Sequence, residues 1–312
     1  MDTSLKPKVG PKDFFLWLGA IVALYTSVFA FLTLAFEYVN TAFPDALSYS
    51  YDPYSGAIKF AIATLIVAFP LFLVLMRLIR MDIARTPEKS DLWVRRWALY
   101  LTIFIAGATI AIDLVTLVYY FLDGEITTRF VLKVLVVLLV ASAGLMHFLS
   151  DIWGYWVEYP ARAMYVGWAV AVLIVGTVVS GFLIIGSPMD ARLYKMDEQK
   201  VYDLQSIQGQ ILYHYQSTGV LPEALAELSS PLSGYSVPIS ADGTLYEYRI
   251  GDADSFELCA MFNKASRTSA SMPVRGANDF WEHGEGLECF ARTIDHDLYP
   301  VIDTAKVPVP NR

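Results

Sequence analysis

The chain has 312 residues, of which 55% are hydrophobic and only 17% are charged. A soluble domain usually carries about 25% charged residues, so this composition favours a membrane protein. The net charge of -8 lies in the tail, because 13 basic and 13 acidic residues precede Ser187 whereas 10 basic and 18 acidic residues follow from it. Phosphate binding needs clustered Lys and Arg, so a nucleic-acid partner is not expected.

Five apolar runs are long enough to cross a membrane, because about 30 Å of hydrocarbon takes roughly 20 helical residues. The runs extend from Phe14 to Phe36, Ala57 to Ile79, Trp97 to Leu122, Phe130 to Leu149 and Met164 to Ile185. The first run is too long for a cleavable signal, and we interpret it as an uncleaved span. Residues 1–186 are therefore predicted to form a membrane α-helical bundle of about five transmembrane helices.

Local signals refine the second, third and fourth spans. Pro70 lies inside the second run and predicts a kink. Gly124 lies in the short link between the third and fourth runs, which predicts a tight antiparallel hairpin. Thr127 or Thr128 is the predicted N-cap of the fourth helix.

Loop charges predict the orientation, since short loops rich in Lys and Arg stay in the cytoplasm. Three lysines precede the first span, the loop 39–56 has no basic residue, and residues 77–96 hold five Arg and one Lys. The amino terminus is therefore predicted to be cytoplasmic. With five crossings, residues 187–312 are predicted to be extracytoplasmic, and the expected location is a bacterial cytoplasmic (inner) membrane.

Asp113 and Lys133 are the candidate polar residues inside the spans. An ionisable side chain in hydrocarbon costs several kcal/mol unless it is paired or in contact with water. Counting from the turn gives an axial mismatch of about 6 Å between them, which a flexible lysine can span. Two interpretations stay open: a proton or ion relay, or a pair that locks the hairpin, the second being favoured.

Two further polar groups lie near the predicted inner face. Asp151 is expected to pair with Arg95 or Arg96, and His147 is expected to be a hydrogen-bonded interfacial histidine. A transmembrane haem usually needs a second axial histidine, but the other three lie in the tail, so no cofactor is expected.

The tail, residues 187–312, is predicted to be a small α+β domain with one long helix on an antiparallel sheet. Apolar residues recur at helical spacing between Met189 and Gln216, and Gly219 is the predicted stop. The helical stripe consists of Leu193, Met196, Val201, Leu204, Ile207, Ile211 and Tyr215. Strands are predicted at Leu245 to Ile250, Phe256 to Phe262 and Glu288 to Arg292.

Cys259 and Cys289 are the two cysteines of the chain, and both lie on predicted strands of the domain assigned to the exterior. A disulfide between them is the favoured interpretation, and two separate buried thiols are the alternative. The segment from Trp281 to Gly286 has one histidine and two glutamates, which is a weak signal for metal, and a solvated loop is favoured there.

The tail resembles the soluble part of type IV pilins and type II secretion pseudopilins. The resemblance lies in Ile211, Leu212, Tyr213 and Tyr215, then Gly219, Leu221 and Pro222, then Tyr246 and Tyr248, and finally Glu257, Leu258, Cys259 and Ala260. It implies the pilin-like fold. It does not imply assembly into a pilus, because no prepilin peptidase site is found at the amino terminus, nor a glutamate at the fifth position after one.

The membrane part resembles an uncharacterised bacterial family, domain of unknown function 5671. The matching residues are Arg95, Arg96, Trp97, Tyr100, Leu101, Thr102, Asp113, Leu114, Thr116, Leu117, Gly124, Glu125, Thr127, Arg129, Phe130, Leu132, Lys133 and Val134. This resemblance implies no activity.

Three functions are open. The leading hypothesis is a non-enzymatic membrane anchor or scaffold that displays the pilin-like module to envelope or pilus-type proteins, since no catalytic motif is found. The second is a small transporter or an ion or proton pathway that uses Asp113, with Pro70 as a further motive. The third is an extracytoplasmic ligand sensor.

Overall fold

The computed structural model describes residues 9–43, 56–232, 234–252, 254–267 and 281–301. The chain divides into two compact units, Met1–Ile185 and Gly186–Arg312. The first unit is helical throughout its described residues, and the second combines a long helix with a small sheet.

Five long apolar helices form the first unit, and each contains one of the predicted spans. They are α1 (Pro11–Ala42), α2 (Gly56–Arg85), α3 (Trp93–Asp123), α4 (Thr128–Ile152) and α6 (Pro160–Ile185). A 3-10 turn, Pro87–Asp91, joins α2 to α3, and a single helical turn, α5 (Tyr155–Glu158), precedes α6. All five are long and apolar enough to cross a membrane, which confirms the prediction of five long apolar helices and is compatible with an integral membrane protein. Helix α2 continues through Pro70.

The hairpin between α3 and α4 has the predicted geometry. Gly124 ends α3 with φ of 77°, a left-handed conformation that a side chain would disfavour. Thr127, rather than Thr128, is the N-cap of α4, because its hydroxyl oxygen accepts a hydrogen bond from the backbone N–H of Phe130 at 3.1 Å.

Helix α1 is the centre of the first unit and contacts α2, α3, α4 and α6. Leu34 of α1 and Ile58 and Leu65 of α2 are fully buried in one apolar cluster. Gly181 brings α6 so close to α2 that a Cβ there would lie 2.5 Å from Ile62. Small residues allow such close helix contacts in membranes, where burial against lipid gives no drive to associate.

The second unit begins with α7 (Pro188–Thr218), followed by a 3-10 turn at Leu225–Leu228. Three antiparallel strands follow in the order β1 (Glu247–Ile250), β2 (Ser255–Phe262) and β3 (Gly286–Thr293). These bounds lie within a few residues of the predicted ones, and Gly219 ends α7 with φ of 79°. The three-stranded antiparallel sheet is thus confirmed.

One apolar core holds α7 on the sheet. Leu204, Ile207 and Ile211 of α7 are fully buried with Phe256 and Leu258 of β2. The period of two along a strand places alternate residues of β2 on this core and the others on the opposite face. Side chains on that second face, which we call the outer face of the sheet, do not reach α7.

Candidate functional site

Asp113 lies within α3, about 15 Å along the helix from its last residue, Asp123. Its carboxylate oxygen Oδ2 is buried and accepts no hydrogen bond from the part of the chain that the structure describes. A carboxylate at such a depth is costly, and an intramembrane ionisable residue is a functional candidate for that reason. Asp113 therefore stays a candidate site, although its expected partner is missing.

The predicted pairing of Asp113 with Lys133 is wrong for the structure. No ion pair or hydrogen bond joins these two described side chains. The ammonium group of Lys133 instead lies 5.7 Å from the ring centroid of Phe36 on α1, and the charges that act on it are those of Arg129 and Glu37. The reason is packing: α4 also contacts α1, which offers Lys133 an aromatic face and a carboxylate.

The predicted ion pair at the other end of the hairpin is confirmed. Arg95 of α3 donates to Asp151 of α4 at 3.3 Å. Within the described residues the imidazole of His147 makes no hydrogen bond, contrary to the prediction. Its backbone carbonyl accepts one from the indole N–H of Trp156 at 2.9 Å. The imidazole instead lies against the Trp156 ring, with centroids 5.1 Å apart.

A charged cluster at the same end of the first unit had not been predicted. Lys89, in the turn before α3, donates to Asp13 of α1 at 2.8 Å and to Asp82 of α2 at 2.6 Å. Lys12 also donates to Asp82, at 3.0 Å. The cluster joins the start of α1 to residues 82–89, about 70 positions away in sequence, which is why no local pattern revealed it.

The disulfide between Cys259 and Cys289 is present. The two cysteines are direct partners in the register of β2 and β3, on the outer face of the sheet. Cys259 is buried and Cys289 is exposed. Glu257 lies near both sulfur atoms, in the one metal-like group found among the described residues. Bonded sulfur atoms offer no thiolate, so this group is not a metal site.

His283, in the segment weighed for metal binding, has a structural place in the second unit. Its ring stacks on Phe262, with centroids 3.6 Å apart. Glu288 accepts a hydrogen bond from the backbone N–H of Gly284 at 3.1 Å. The ring of His283 and the carboxylate of Glu288 thus each have a partner within the protein.

The second unit contains a buried polar network that the sequence analysis missed. Asp197 and Lys200 of α7 are only 2% and 1% exposed, whereas the predicted stripe members Leu193 and Met196 are half-buried. The signal was available, since positions 197, 200, 204, 207 and 211 are spaced by alternating steps of three and four residues. The predicted stripe contains only apolar residues, whereas the buried face of α7 also includes these two charged ones.

Every charge of this network has partners. Asp197 accepts bonds from the backbone N–H groups of Asn263 and Lys264 at 2.9 to 3.1 Å. Lys200 donates to Asp242 and to the carbonyl of Met261. Buried charges are tolerated when they are paired in this way. The network therefore fastens the first half of α7 to the loops around the sheet.

Two pKa shifts report this environment. Burial raises the pKa of Asp242, but hydrogen bonds from Lys200 and Thr244 outweigh burial and leave the pKa well below its usual range. Burial, and then the hydrogen bond to Asp203, raises the pKa of Tyr246. Both groups therefore hold one protonation state at neutral pH, which suits a structural role.

The comparison with protein families concerns the membrane part. Residues 13–142 match the family described as Domain of unknown function (DUF5671). The DUF5671 region runs from α1 into α4 and includes Asp113 and Lys133, and it supports the resemblance found in the sequence. A search of the curated proteins and a search of the solved structures found no match. The pilin-like character of the tail stays a prediction.

Proposed function

We propose that this integral membrane protein anchors and displays its second unit as an interaction module on the extracytoplasmic side. The observation that carries the proposal is the outer face of the sheet. On that face the side chains of Met261 and Leu287, direct partners in the register, are 48% and 50% exposed. An apolar pair beside a covalent crosslink is a rigid contact surface, which reduces the ordering cost of binding.

The disulfide supports the extracytoplasmic side. Disulfides persist in oxidising compartments and are rare in the cytosol. The loop charges support the same side. If the basic loops lie in the cytosol, five spans place the second unit outside it. The proposed location is therefore a bacterial cytoplasmic membrane with the second unit outside.

The proposed partners are envelope or pilus-type proteins. A long helix followed by a three-stranded antiparallel sheet supports the pilin-like interpretation of this unit. Its core and its network are complete within the unit, and this supports a module that folds around its own interior. The proposal requires no enzymatic step.

Site-specific photocrosslinking in whole cells tests the proposed surface. A photoreactive residue replaces Leu287 in the full chain, and the matched control replaces Leu298, which is also exposed but lies outside the sheet. We expect a discrete crosslinked protein from position 287 and none from position 298. No crosslink at 287, or equal crosslinks at both positions, would contradict the proposal.

A second candidate function is an ion or proton pathway that uses Asp113. The buried Oδ2 atom without a hydrogen-bond partner favours it. Asp113→Asn keeps the shape and removes the charge, whereas Asp113→Leu also removes the polarity. If Asp113→Asn leaves growth and ion flux unchanged while Asp113→Leu only lowers stability, the pathway is excluded.

A further inference from the structure

One end of the first unit combines several cationic groups, and the structure separates them into two sets. Lys12, Lys89 and Arg95 are bonded to the carboxylates of Asp82, Asp13 and Asp151. The side chains of Arg77, Arg80 and Arg85, in the last three turns of α2, are exposed and have no partner in the described part of the chain. The carboxylates of Asp13, Asp82 and Asp151 are thus already occupied by other cations.

The position of these three arginines along α2 matches the membrane surface. Helix α2 has 30 residues, which is about 45 Å, whereas the hydrocarbon core takes about 30 Å. The predicted span ends at Ile79, so Arg77 and Arg80 lie at its border and Arg85 lies beyond it. Trp93 and Trp97, exposed in the first turns of α3, lie at the same end and suit the headgroup region.

We infer that the end of α2 that carries Arg77, Arg80 and Arg85 binds the phosphate groups of anionic phospholipids. Guanidinium groups bind phosphate oxygens in a two-pronged geometry, and three unpaired ones at headgroup depth need a counter-charge. A neutral lipid supplies no net charge to balance them. Each basic residue near an anionic surface strengthens binding by about 1 kcal/mol, or about five-fold.

Lys59 provides a matched control because it is an exposed cation at the opposite end of the same helix. It lies at the first turn of α2. Loss of its charge changes the net charge of the protein without touching the proposed surface.

The test uses the full chain, purified in neutral detergent and titrated with phosphatidylglycerol, phosphatidylcholine or inorganic phosphate. The readout is the amount of bound lipid measured by native mass spectrometry. We expect phosphatidylglycerol to bind, phosphatidylcholine to bind weakly and inorganic phosphate not to bind. The triple variant R77Q/R80Q/R85Q should lose on the order of 100-fold in affinity for phosphatidylglycerol, and Lys59→Gln should bind as the parent does.

A second variant keeps the test decisive if the triple variant does not fold. R77K/R80K/R85K retains the charge and should keep most of the affinity, and each single Arg→Gln change should weaken binding about five-fold. Phosphatidylglycerol binding that is equal in the parent and in the folded triple variant would overturn the inference. So would an equal loss in Lys59→Gln, or binding of inorganic phosphate as tight as that of the lipid.

Discussion

At the scale of single residues, the buried charges of α7 are the least expected feature of the protein. Lys200 occupies a position where the helical period requires a buried side chain, between apolar turns of the same stripe. Burial of an ammonium group costs several kcal/mol, so the position tolerates it only because Asp242 and the backbone carbonyl of Met261 accept its hydrogen bonds. A single residue thus depends on partners more than 40 positions away.

Removal of the ammonium group of Lys200 should destabilise the second unit. Lys200→Met leaves the carboxylates of Asp197 and Asp242 without their cation, which should cost about 3–5 kcal/mol in free energy of unfolding. Lys195→Met, on the exposed face of the same helix, should change it by less than about 0.5 kcal/mol. Hydrogen exchange of the β2 amides in the full chain measures both. Equal protection in the two variants would contradict this account.

The Asp242 carboxyl also predicts acid sensitivity. Its folded-state pKa is lowered by the hydrogen bonds from Lys200 and Thr244, against the opposing effect of burial. A lowered folded pKa adds stability above the unfolded value of about 3.9, and this stability is lost as pH falls toward the folded value. In the parent, protection of the β2 amides from exchange should therefore decrease when the pH is lowered below about 4. The Asp242→Asn variant should be less stable at neutral pH, and its exchange protection should depend less on pH than that of the parent. The same pH dependence in both proteins would contradict the role of Asp242.

At the scale of elements, helix contacts in the first unit depend on one small residue. Gly181 of α6 faces Ile62 of α2 and the hydroxyl of Tyr38 on α1, and Tyr38 donates to the carbonyl of Thr177 on α6. The position of α6 therefore follows from the absence of a side chain at residue 181.

Gly181→Ala tests this contact. An added Cβ would lie 2.5 Å from Ile62 and 2.9 Å from the Tyr38 oxygen, so these side chains or the helices that carry them must shift, at a cost of about 1–3 kcal/mol. Gly176→Ala, on the same helix, adds its Cβ to open space and should leave stability unchanged. Thermal unfolding in detergent compares the two. A melting temperature lowered equally by both changes would contradict the packing account, because alanine has the higher helix propensity and would not by itself lower stability.

At the scale of the whole molecule, the disulfide links the fold to the side of the membrane. It closes a loop across 30 residues between β2 and β3, and in the chain-entropy model this stabilises the folded state by about 3.5 kcal/mol. The bond forms in the compartment in which the second unit folds. The redox state of the two cysteines in cells therefore tests on which side of the membrane the second unit lies.

Alkylation of the chain from intact cells measures that state. We expect no alkylation of Cys259 and Cys289 without reductant and addition of two labels after reduction. A reporter fused after Arg312 should be active only outside the cytosol. Full alkylation without reductant would exclude the bond, whereas an active cytosolic reporter would overturn the orientation.

The sequence by itself determined the elements, because the features that specify them are local. A run of apolar residues predicts a span, Gly124 predicts a turn, Thr127 is one of two predicted caps, and alternation predicts a strand. The pairing of Arg95 with Asp151 was also predictable, since a short hairpin brings the ends of its helices together.

Only the tertiary structure decided which polar groups meet. Lys133 of α4 could contact either α3 or α1. The packing of α4 on α1 places its ammonium group at Phe36, and Asp113 of α3 therefore lacks Lys133 as a partner. Lys89 and Lys200 find carboxylates that lie tens of residues away. Periodicity records how much of a side chain is buried but not which segment covers it, because the covering segment is chosen by the packing of the whole chain.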